Sequence, residues 1–302
     1  MKTIVAHNVF LTRSGIAMKA FRLIDESIHR YPGKRRHFWK YTLFQFFFRK
    51  KLKLKGKYFV IHNHWCPGYY HWITEALPRL LSVHTMLEDR ILVLPISFQE
   101  KLGASLAPLY QGEIFWIPES KNLLVDDLLI PENPFSGRYE PSLMKALREL
   151  YMGYLNLQLV PSKRIYISRK KAARRRVENE VAVEHMLHQY GFEIVCFEDR
   201  TFWEQVQLMC EAQLLISIHG AGLSNVLFLS ENSHVIELQH HPAPGMQKDV
   251  LYQDLCEIMN VQYRAMFCDS SGNDNTLATG DIFVDIPELE NLVIEKSKKI
   301  NL

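Results

Sequence analysis

The run Leu214-Leu215-Ile216-Ser217-Ile218 stops at His219 and is followed by Gly220-Ala221-Gly222 and then by Leu223-Ser224-Asn225. Five apolar-rich residues read as a buried strand, and the residues after the glycines can open a helix. A strand that feeds a glycine turn and a helix start presents backbone N–H groups and the positive end of the helix dipole. Those are the groups that hold phosphate. A tight turn packed for its own sake is the plainer reading, so the surrounding chemistry has to decide.

Upstream, Arg164, Ser168, Arg169, Lys170, Lys171, Arg174, Arg175 and Arg176 surround the end of an earlier strand. Ligands of open α/β sheets bind beyond the carboxyl ends of strands, and the guanidinium fork matches phosphate oxygens. Arg169, directly at the strand end, is the expected contact. Lys170, Lys171 and Arg176 read as solvated charges. Glu237 closes the apolar run that follows the glycine turn, where a carboxylate ordinarily meets ribose hydroxyls.

A second cluster, His62, Asn63, His64, Trp65, Tyr69, Tyr70, His71, Trp72 and Glu75, is polar and aromatic together. His71 and Glu75 are four apart and share a helix face. A carboxylate beside a histidine fixes its tautomer and raises its basicity, as a general base requires. His62 and His64 share one strand face. With Trp65, Tyr70 and Trp72 they read as a floor on which a sugar could lie. A metal on His62, His64 and His71 is a competing reading, but no HExxH or comparable acidic set supports it, so no metal is expected.

These groups must be positioned by ordinary elements. Residues 58–64, 91–94, 113–117 and 123–130 read as strands, with helices over 70–86, where Pro78 is expected to kink or break the pattern, and over 143–157. Val160-Pro161-Ser162 reads as a hinge. Beyond it strands at 164–168, 193–197, 214–218, 234–238 and 263–267 alternate with helices at 178–190, 202–212 and 248–259. That spacing implies βαβ units and a parallel sheet. The expected division is 1–160, 161–285 and a terminal helix, 286–302, packing back on the first half.

The chain has 302 residues, 47% of them hydrophobic, and a formal net charge of +3. That is enough for two cored domains and excludes a disordered chain. The odd, scattered cysteines, Cys66, Cys196, Cys210, Cys256 and Cys268, read as free thiols of a reducing compartment, and no signal peptide or membrane span is visible. Residues 34–57 break the even charge pattern. Lys34, Arg35, Arg36, Lys40, Arg49, Lys50, Lys51, Lys53, Lys55 and Lys57 bracket Phe38, Trp39, Tyr41, Phe44, Phe46, Phe47 and Phe48. Rings flanked by cations suit an anionic membrane surface. A core-packing helix with solvated ends is the alternative, and no nucleic-acid motif accompanies the segment.

The segments Tyr70-His71-Trp72-Ile73-Thr74-Glu75-Ala76-Leu77-Pro78-Arg79-Leu80, Arg164-Ile165-Tyr166-Ile167-Ser168-Arg169, Arg174-Arg175, Asn179-Glu180, Gly191-Phe192, Glu204-Gln205, His219-Gly220-Ala221-Gly222-Leu223 and Val235-Ile236-Glu237-Leu238 occur in one order. In that order the chain resembles glycosyltransferase family 61, the DUF563 group often labelled capsular polysaccharide biosynthesis proteins. The resemblance covers roughly residues 58–240. It implies an α/β, GT-B-like fold of two Rossmann-like domains facing a cleft, with the donor nucleotide on the second. It implies an inverting sugar transfer with no obligatory metal or other cofactor.

Under it His71 and Glu75 supply the base. Arg164, Arg169, Arg174, Asn179, Gln205, His219, Gly220, Ala221, Gly222, Asn225 and Glu237 hold the nucleotide-sugar, and His62, His64, Trp65, Tyr70 and Trp72 face the acceptor. Partners would be a nucleotide-sugar and a glycan or lipid-linked acceptor, with no nucleic acid; residues 34–57, which lie outside the resemblance, add an anionic membrane surface at the cytoplasmic face. A non-catalytic membrane-surface or glycan-binding protein and a histidine-ligated metal hydrolase stay open as other classes. Two departures stand out: Ser217 where the family often has glycine, and Gly68-Tyr69-Tyr70 where it often has asparagine.

Overall fold

The computed structural model describes residues 1–29, 34–156, 161–241, 249–270 and 280–300. The chain folds as two compact α/β units, Met1–Leu150 and Tyr151–Leu302. Val160, in the expected hinge, lies outside the described residues, and the division falls earlier, within the helix Pro141–Leu155.

The first unit carries β1 (Thr3–Leu11), β2 (Ala17–Lys19), β3 (Arg22–Leu23), β4 (Lys50–Phe59), β5 (Ile91–Pro95), β6 (Ile114–Ile117) and β7 (Lys121–Pro131) in the order β3-β2-β1-β7-β4-β5-β6. β7, β4, β5 and β6 are mutually parallel, whereas β1 runs antiparallel to β7 and β2 and β3 continue that antiparallel edge. The sheet is therefore mixed, and the three strands of its antiparallel edge come from an amino-terminal stretch whose sequence pattern predicts no strand. Residues 60–64, expected as strand, continue beyond the end of β4 without regular structure. Val60 and Ile61 are nonetheless fully buried.

The helix that follows is continuous from Tyr69–His71 through a π-turn, Trp72–Ala76, into Leu77–Ser82. Pro78 has no N–H to give to the carbonyl four residues back, and its ring crowds that carbonyl. Here the ladder widens just before it, with Leu77 N–H reaching the Trp72 carbonyl. A π-turn inserts a residue without breaking the helix. Arg79, on the next turn, is completely buried. Its Nε donates to the Pro131 carbonyl at 3.1 Å, and its Nη1 and Nη2 donate to Ile61 and Pro131 carbonyls. One side chain thus ties the helix to the ends of two segments that leave β4 and β7.

The second unit carries β8 (Lys163–Ile167), β9 (Phe192–Val195), β10 (Ala212–Ile218), β11 (His234–His240), β12 (Gln262–Ser270) and β13 (Ile282–Phe283) in the order β13-β12-β11-β10-β8-β9. All but β13 are parallel, so the expected alternation describes this unit closely. Strands covered on both faces need continuous apolar runs. Leu214, Leu215 and Ile216 are fully buried in that way. The helix Phe202–Glu211 opens on a capping box between Thr201 and Glu204, which gives Glu204 a structural task. The terminal helix Ile286–Ile300 packs on its own unit. Leu289, Leu292 and Val293 join the core that holds Val183, Leu187 and Ile216, and Tyr190 donates to Glu290 at 2.7 Å. The expectation that this helix packs on the first half is thereby corrected, because its apolar stripe completes the second unit's core.

If Arg79 is the tie between helix and sheet, Arg79→Met leaves the Ile61 and Pro131 carbonyls buried without donors. The expected loss is about 2–6 kcal/mol, from about 1–3 kcal/mol for each orphaned group. Thermal unfolding followed by circular dichroism checks this, and a melting point within a degree or so of wild type would remove Arg79 from that role.

Candidate active site

In the first unit, side chains from four separate segments converge on the Glu75 carboxylate, which is 2% exposed. Ser136 donates to Oε1 at 2.7 Å, His71 Nδ1 lies 2.8 Å from the same oxygen, and Asn63 Nδ2 donates to Oε2 at 3.2 Å. His29 Nε2 stands 3.5 Å from Oε1 and 3.0 Å from Ser136 Oγ. Burial alone would raise this carboxyl's pKa. Hydrogen bonds from His29 and His71, the attraction of His71 and the Ser136 hydroxyl outweigh burial and hold it well below the ordinary carboxylate range. Glu75 therefore stays ionised and keeps the His71 proton on Nδ1. Nε2 of His71 is left as the basic nitrogen on a side chain that is 22% exposed. Trp65, 42% exposed, stacks on that imidazole with centroids 5.6 Å apart.

His64 completes the surround, packed edge-on to Phe38 and tilted against Trp65. Burial, then the nearby His29 and His71, push its pKa down to about 4, so it is neutral near pH 7. The ligand-capable atoms of His29, His71 and Glu75 lie within 4.8 Å of one another, a spacing that a divalent cation could use. This is a different trio from His62, His64 and His71.

In the second unit β9, the next strand in the chain, lies on one side of β8 and β10 lies on the other. The loops that leave β8 and β10 diverge at this reversal, which is where open parallel sheets take ligands. Arg169 leaves β8 there. Its Nε donates to the Arg175 carbonyl at 3.1 Å and its Nη2 to the Arg174 carbonyl at 3.3 Å. A Cβ on Gly220 would sit 2.7 Å from Arg169 Nη1, so glycine is what lets the guanidinium reach the turn. Gly220 has extended backbone, so close approach and not a left-handed φ is the requirement. The 3-10 helix Ala221–Phe228 follows, and its first N–H groups have no intrahelical acceptor. Tyr252 OH donates to the Gly220 carbonyl at 2.7 Å and fixes the turn from beneath.

Lys170, Lys171 and Arg176 are paired with Glu184, Asp199 and Asp281. Among the described residues Arg169, Arg174 and Arg175 have no carboxylate within ion-pair distance. Arg175 Nε is buried with no hydrogen-bond partner there. Burial, then the charges of Arg169 and Arg174, push the Arg175 pKa down. Three guanidinium groups with no ion pair among the described residues, beside N–H groups with no intrahelical acceptor, are the groups an anion would need.

His219 faces the same turn. Its Nδ1 lies 2.6 Å from Glu237 Oε1 and its Nε2 3.5 Å from Asp249 Oδ2. Glu237 is completely buried, in the middle of β11, and its second oxygen accepts from Tyr263 OH at 2.6 Å. Completely buried and bonded through both oxygens, Glu237 orients His219 and is out of reach of a ribose.

Other expected contacts are also placed elsewhere. Arg164 lies at the amino end of β8, away from the ligand edge, and donates to the Tyr190 carbonyl at 2.8 Å. Asn179 bonds both N–H and carbonyl of Val284, and Gln205 holds the Phe197 and Arg200 carbonyls. Asn225 is buried under the turn, donating to the Gly222 carbonyl at 3.1 Å, so it supports Gly222 from inside. Arg174 is exposed at the rim. In the first unit Trp72 is fully buried, its Nε1 on Ser105 Oγ, and Tyr70 bonds the Tyr139 hydroxyl and the Gly137 N–H. His62 is buried with Nε2 3.0 Å from the Arg13 carbonyl, and burial pushes its pKa down to about 4. Of the expected acceptor floor, Trp65 is the exposed ring. Sequence reasoning missed His29, Ser136, Tyr252 and Tyr263 as site members. Asn63 and Arg175 sit inside the quoted clusters but were given no individual role there.

A family model described as Glycosyltransferase 61 matches residues 69–236. The chain is also 27% identical over 134 residues to the EGF domain-specific O-linked N-acetylglucosamine transferase of Drosophila melanogaster, a stretch that covers 42% of this chain and 25% of that protein. The chain thus spans about a quarter of that relative's length.

Two outcomes follow from the geometry. Gly220→Ala displaces the Arg169 guanidinium, whereas a Cβ on Gly222 meets nothing nearer than 3.5 Å. Diphosphate affinity, measured by calorimetry, is expected to fall about tenfold or more in Gly220→Ala, given charged hydrogen bonds of about 1.5–3 kcal/mol, and to hold in Gly222→Ala. Equal losses would detach Gly220 from Arg169. For Glu75, the folded pKa lies below the unfolded one, so its contribution to stability is complete above the ordinary value of 4.5 and is lost as pH falls toward the folded value. Urea unfolding between about pH 6 and 3 should show wild type losing stability on acidification faster than Glu75→Gln; parallel curves would contradict the depressed pKa.

Proposed function

The chain belongs to the glycosyltransferase 61 family, and on that premise we propose that it moves a sugar from a nucleotide-sugar to a hydroxyl of a glycan or glycolipid, with inversion, in cell-surface polysaccharide assembly. The observation that carries the proposal is the buried Glu75 holding Nδ1 of a partly exposed His71, which leaves Nε2 as the nitrogen free of that carboxylate. A single displacement needs a base for the acceptor proton and a counter-charge for the departing diphosphate. His71 Nε2 takes the proton, and Glu75 steadies the imidazolium that forms without itself being protonated. Trp65 supplies the apolar surface on which an acceptor ring lies. Arg169, Arg175 and the Ala221 and Gly222 N–H groups meet the diphosphate, with Arg174 at the rim. His219, steadied by Glu237, adds a donor there. The GT-B reading gives acceptor chemistry to the first unit and donor binding to the second. The Drosophila relative carries a sugar-transferase name, which supports the reaction class and leaves donor and acceptor to experiment.

The test combines binding and turnover. A thermal-shift screen of UDP-, GDP-, CMP- and dTDP-sugars identifies the donor, since a ligand at a hundredfold excess over its Kd adds about 2.7 kcal/mol. With that donor, His71→Ala is expected to lower kcat by about 10²–10⁴ while donor affinity holds, and Arg169→Ala to do the reverse. A His71→Ala enzyme with wild-type kcat would sink the assignment. A second reading rests on the 4.8 Å spacing of His29, His71 and Glu75, which could hold a divalent cation. Loss of turnover in chelator, restored by Mn²⁺ or Zn²⁺ and abolished in His29→Ala, would favour it over the metal-free base.

A further inference from the structure

The helix Arg35–Phe48 is anchored on one face and bare on the other. Phe38 and Thr42 are buried, and Phe46 packs on Phe10 and Phe21 at 5.1 and 5.6 Å. Phe44, Phe47 and Phe48 are 52, 62 and 74% exposed, and Trp39 is also exposed. Large aromatic rings rarely stand so open beside one another unless something covers them.

A separate element contributes to the same patch. In the hairpin between β2 and β3, Ala20 and Phe21 both have left-handed backbone, φ 47° and 61°. Glycine or asparagine is the ordinary choice there, and a bulky side chain is a conformational outlier. Strain of this kind points to a task for the side chain. Phe21 is 53% exposed and stacks on Phe47 with centroids 6.2 Å apart, while Trp39 Nε1 donates to the Phe21 carbonyl at 3.0 Å.

Cations flank the rings along the chain. Arg22, Arg36, Lys40, Arg49, Lys50, Lys53 and Lys55 are all exposed. Arg35 is engaged by Asp25, and Lys51 lies over the Phe46 ring at 4.7 Å. Phe21, Arg22, Leu23, Arg35, Arg36 and Trp39 line a shallow recess, where an aromatic wall meets three guanidinium groups.

We propose that this face seats the protein on an anionic phospholipid surface. Phe21, Trp39, Phe44, Phe47 and Phe48 enter the headgroup region, and the bordering arginines and lysines meet lipid phosphates. Charge complementarity selects this occupant over an apolar partner, which would be opposed by the exposed cations, those other than Arg35 having no ion pair among the described residues. The rings pack on one another, Phe44 on Phe48 and Phe21 on Phe47, as an apolar cluster suited to insertion; nucleic acid asks for separate open faces on which bases stack. The assignment does not depend on the sugar-transfer reading.

The experiment is co-sedimentation of the full chain with phosphatidylcholine vesicles, with and without phosphatidylserine. Wild type is expected to sediment with the phosphatidylserine vesicles, less in high salt, and weakly with phosphatidylcholine alone. The triple variant Phe44→Ser, Phe47→Ser, Phe48→Ser should partition at least about tenfold less. Lys50→Glu, Lys53→Glu, Lys55→Glu should lose more than about a hundredfold, at roughly fivefold for each cation removed. Should the aromatic variant fail to fold, the lysine variant decides, since its sites are on the surface. Equal sedimentation with both vesicle types, or wild-type partitioning by the lysine variant, would overturn the proposal. So would a phenylalanine-dependent dimer that leaves vesicles unbound, or single-stranded RNA bound in preference to phosphatidylserine vesicles.

Discussion

A carboxylate taken out of water must be answered by donors, and in the first unit that requirement falls on Glu75. Leaving it uncompensated would cost several kcal/mol, so its neighbours are fixed by the charge as much as by packing. The donors come from four places in the chain: His29 before the helix Arg35–Phe48, Asn63 after β4, His71 one turn earlier on the same helix, and Ser136 after β7. Asn63 also donates to Asn133 at 2.9 Å, and Asn133 donates in turn to the Glu26 carbonyl. Arg79 adds a buried positive charge and clamps the two segments that carry Asn63 and Asn133. The loops after β4 and β7 carry turn hydrogen bonds of their own, and their convergence on one anion adds a shared constraint.

The second unit solves a related problem by the same means. Glu237 sits fully buried inside a parallel sheet, and its two oxygens are taken by His219 and Tyr263. Burial, followed by the nearby Glu237 charge and its hydrogen bond, pushes the Tyr263 pKa up, so the hydroxyl stays a donor. A strand interior positions side chains more rigidly than a loop does, so His219 is held firmly at the end of β10. The neighbouring arginines are held differently, by loop carbonyls on Arg169 and by the missing side chain of Gly220. In each unit a buried glutamate bonds Nδ1 of a partly exposed histidine, and in the second unit Nε2 also lies 3.5 Å from the Asp249 carboxylate.

The second unit was the more legible because parallel strands buried on both faces show as unbroken apolar runs, and helices between them show as amphipathic repeats. The first unit hid its antiparallel edge. β1 mixes buried and exposed positions without a clean alternation, since His7 and Asn8 interrupt it and Asn8 takes a left-handed φ of 55°. The His71–Glu75 pair was readable from helical spacing alone. His29 and Ser136 were not, because each is a lone polar residue whose partner is set by tertiary contact. Glu237 was read by its position relative to the glycine turn. β11 in fact runs on to His240, which moves Glu237 from a strand end into the interior. Trp72 and Trp65 looked alike in sequence, yet the π-turned helix puts Trp72 against Phe98 in the core and leaves Trp65 on the turn before it.

The environment of His71 favours the imidazole over the carboxylate as proton acceptor. Glu75 is buried and already accepts from several donors, so protonating it would weaken those charge-assisted hydrogen bonds and disrupt the one at the protonated oxygen. His71 loses nothing of the kind at Nε2. Its Nδ1 proton stays on the Glu75 hydrogen bond, and a second proton at Nε2 yields an imidazolium facing an ionised carboxylate at 2.8 Å. His64, kept neutral by burial and by the histidines around it, adds no competing charge of its own near pH 7. In the proposed reaction, removing the carboxylate would act on the base by freeing its tautomer and its orientation. Replacing the imidazole would remove that base and leave the carboxylate with Ser136, Asn63 and His29 as its remaining donors.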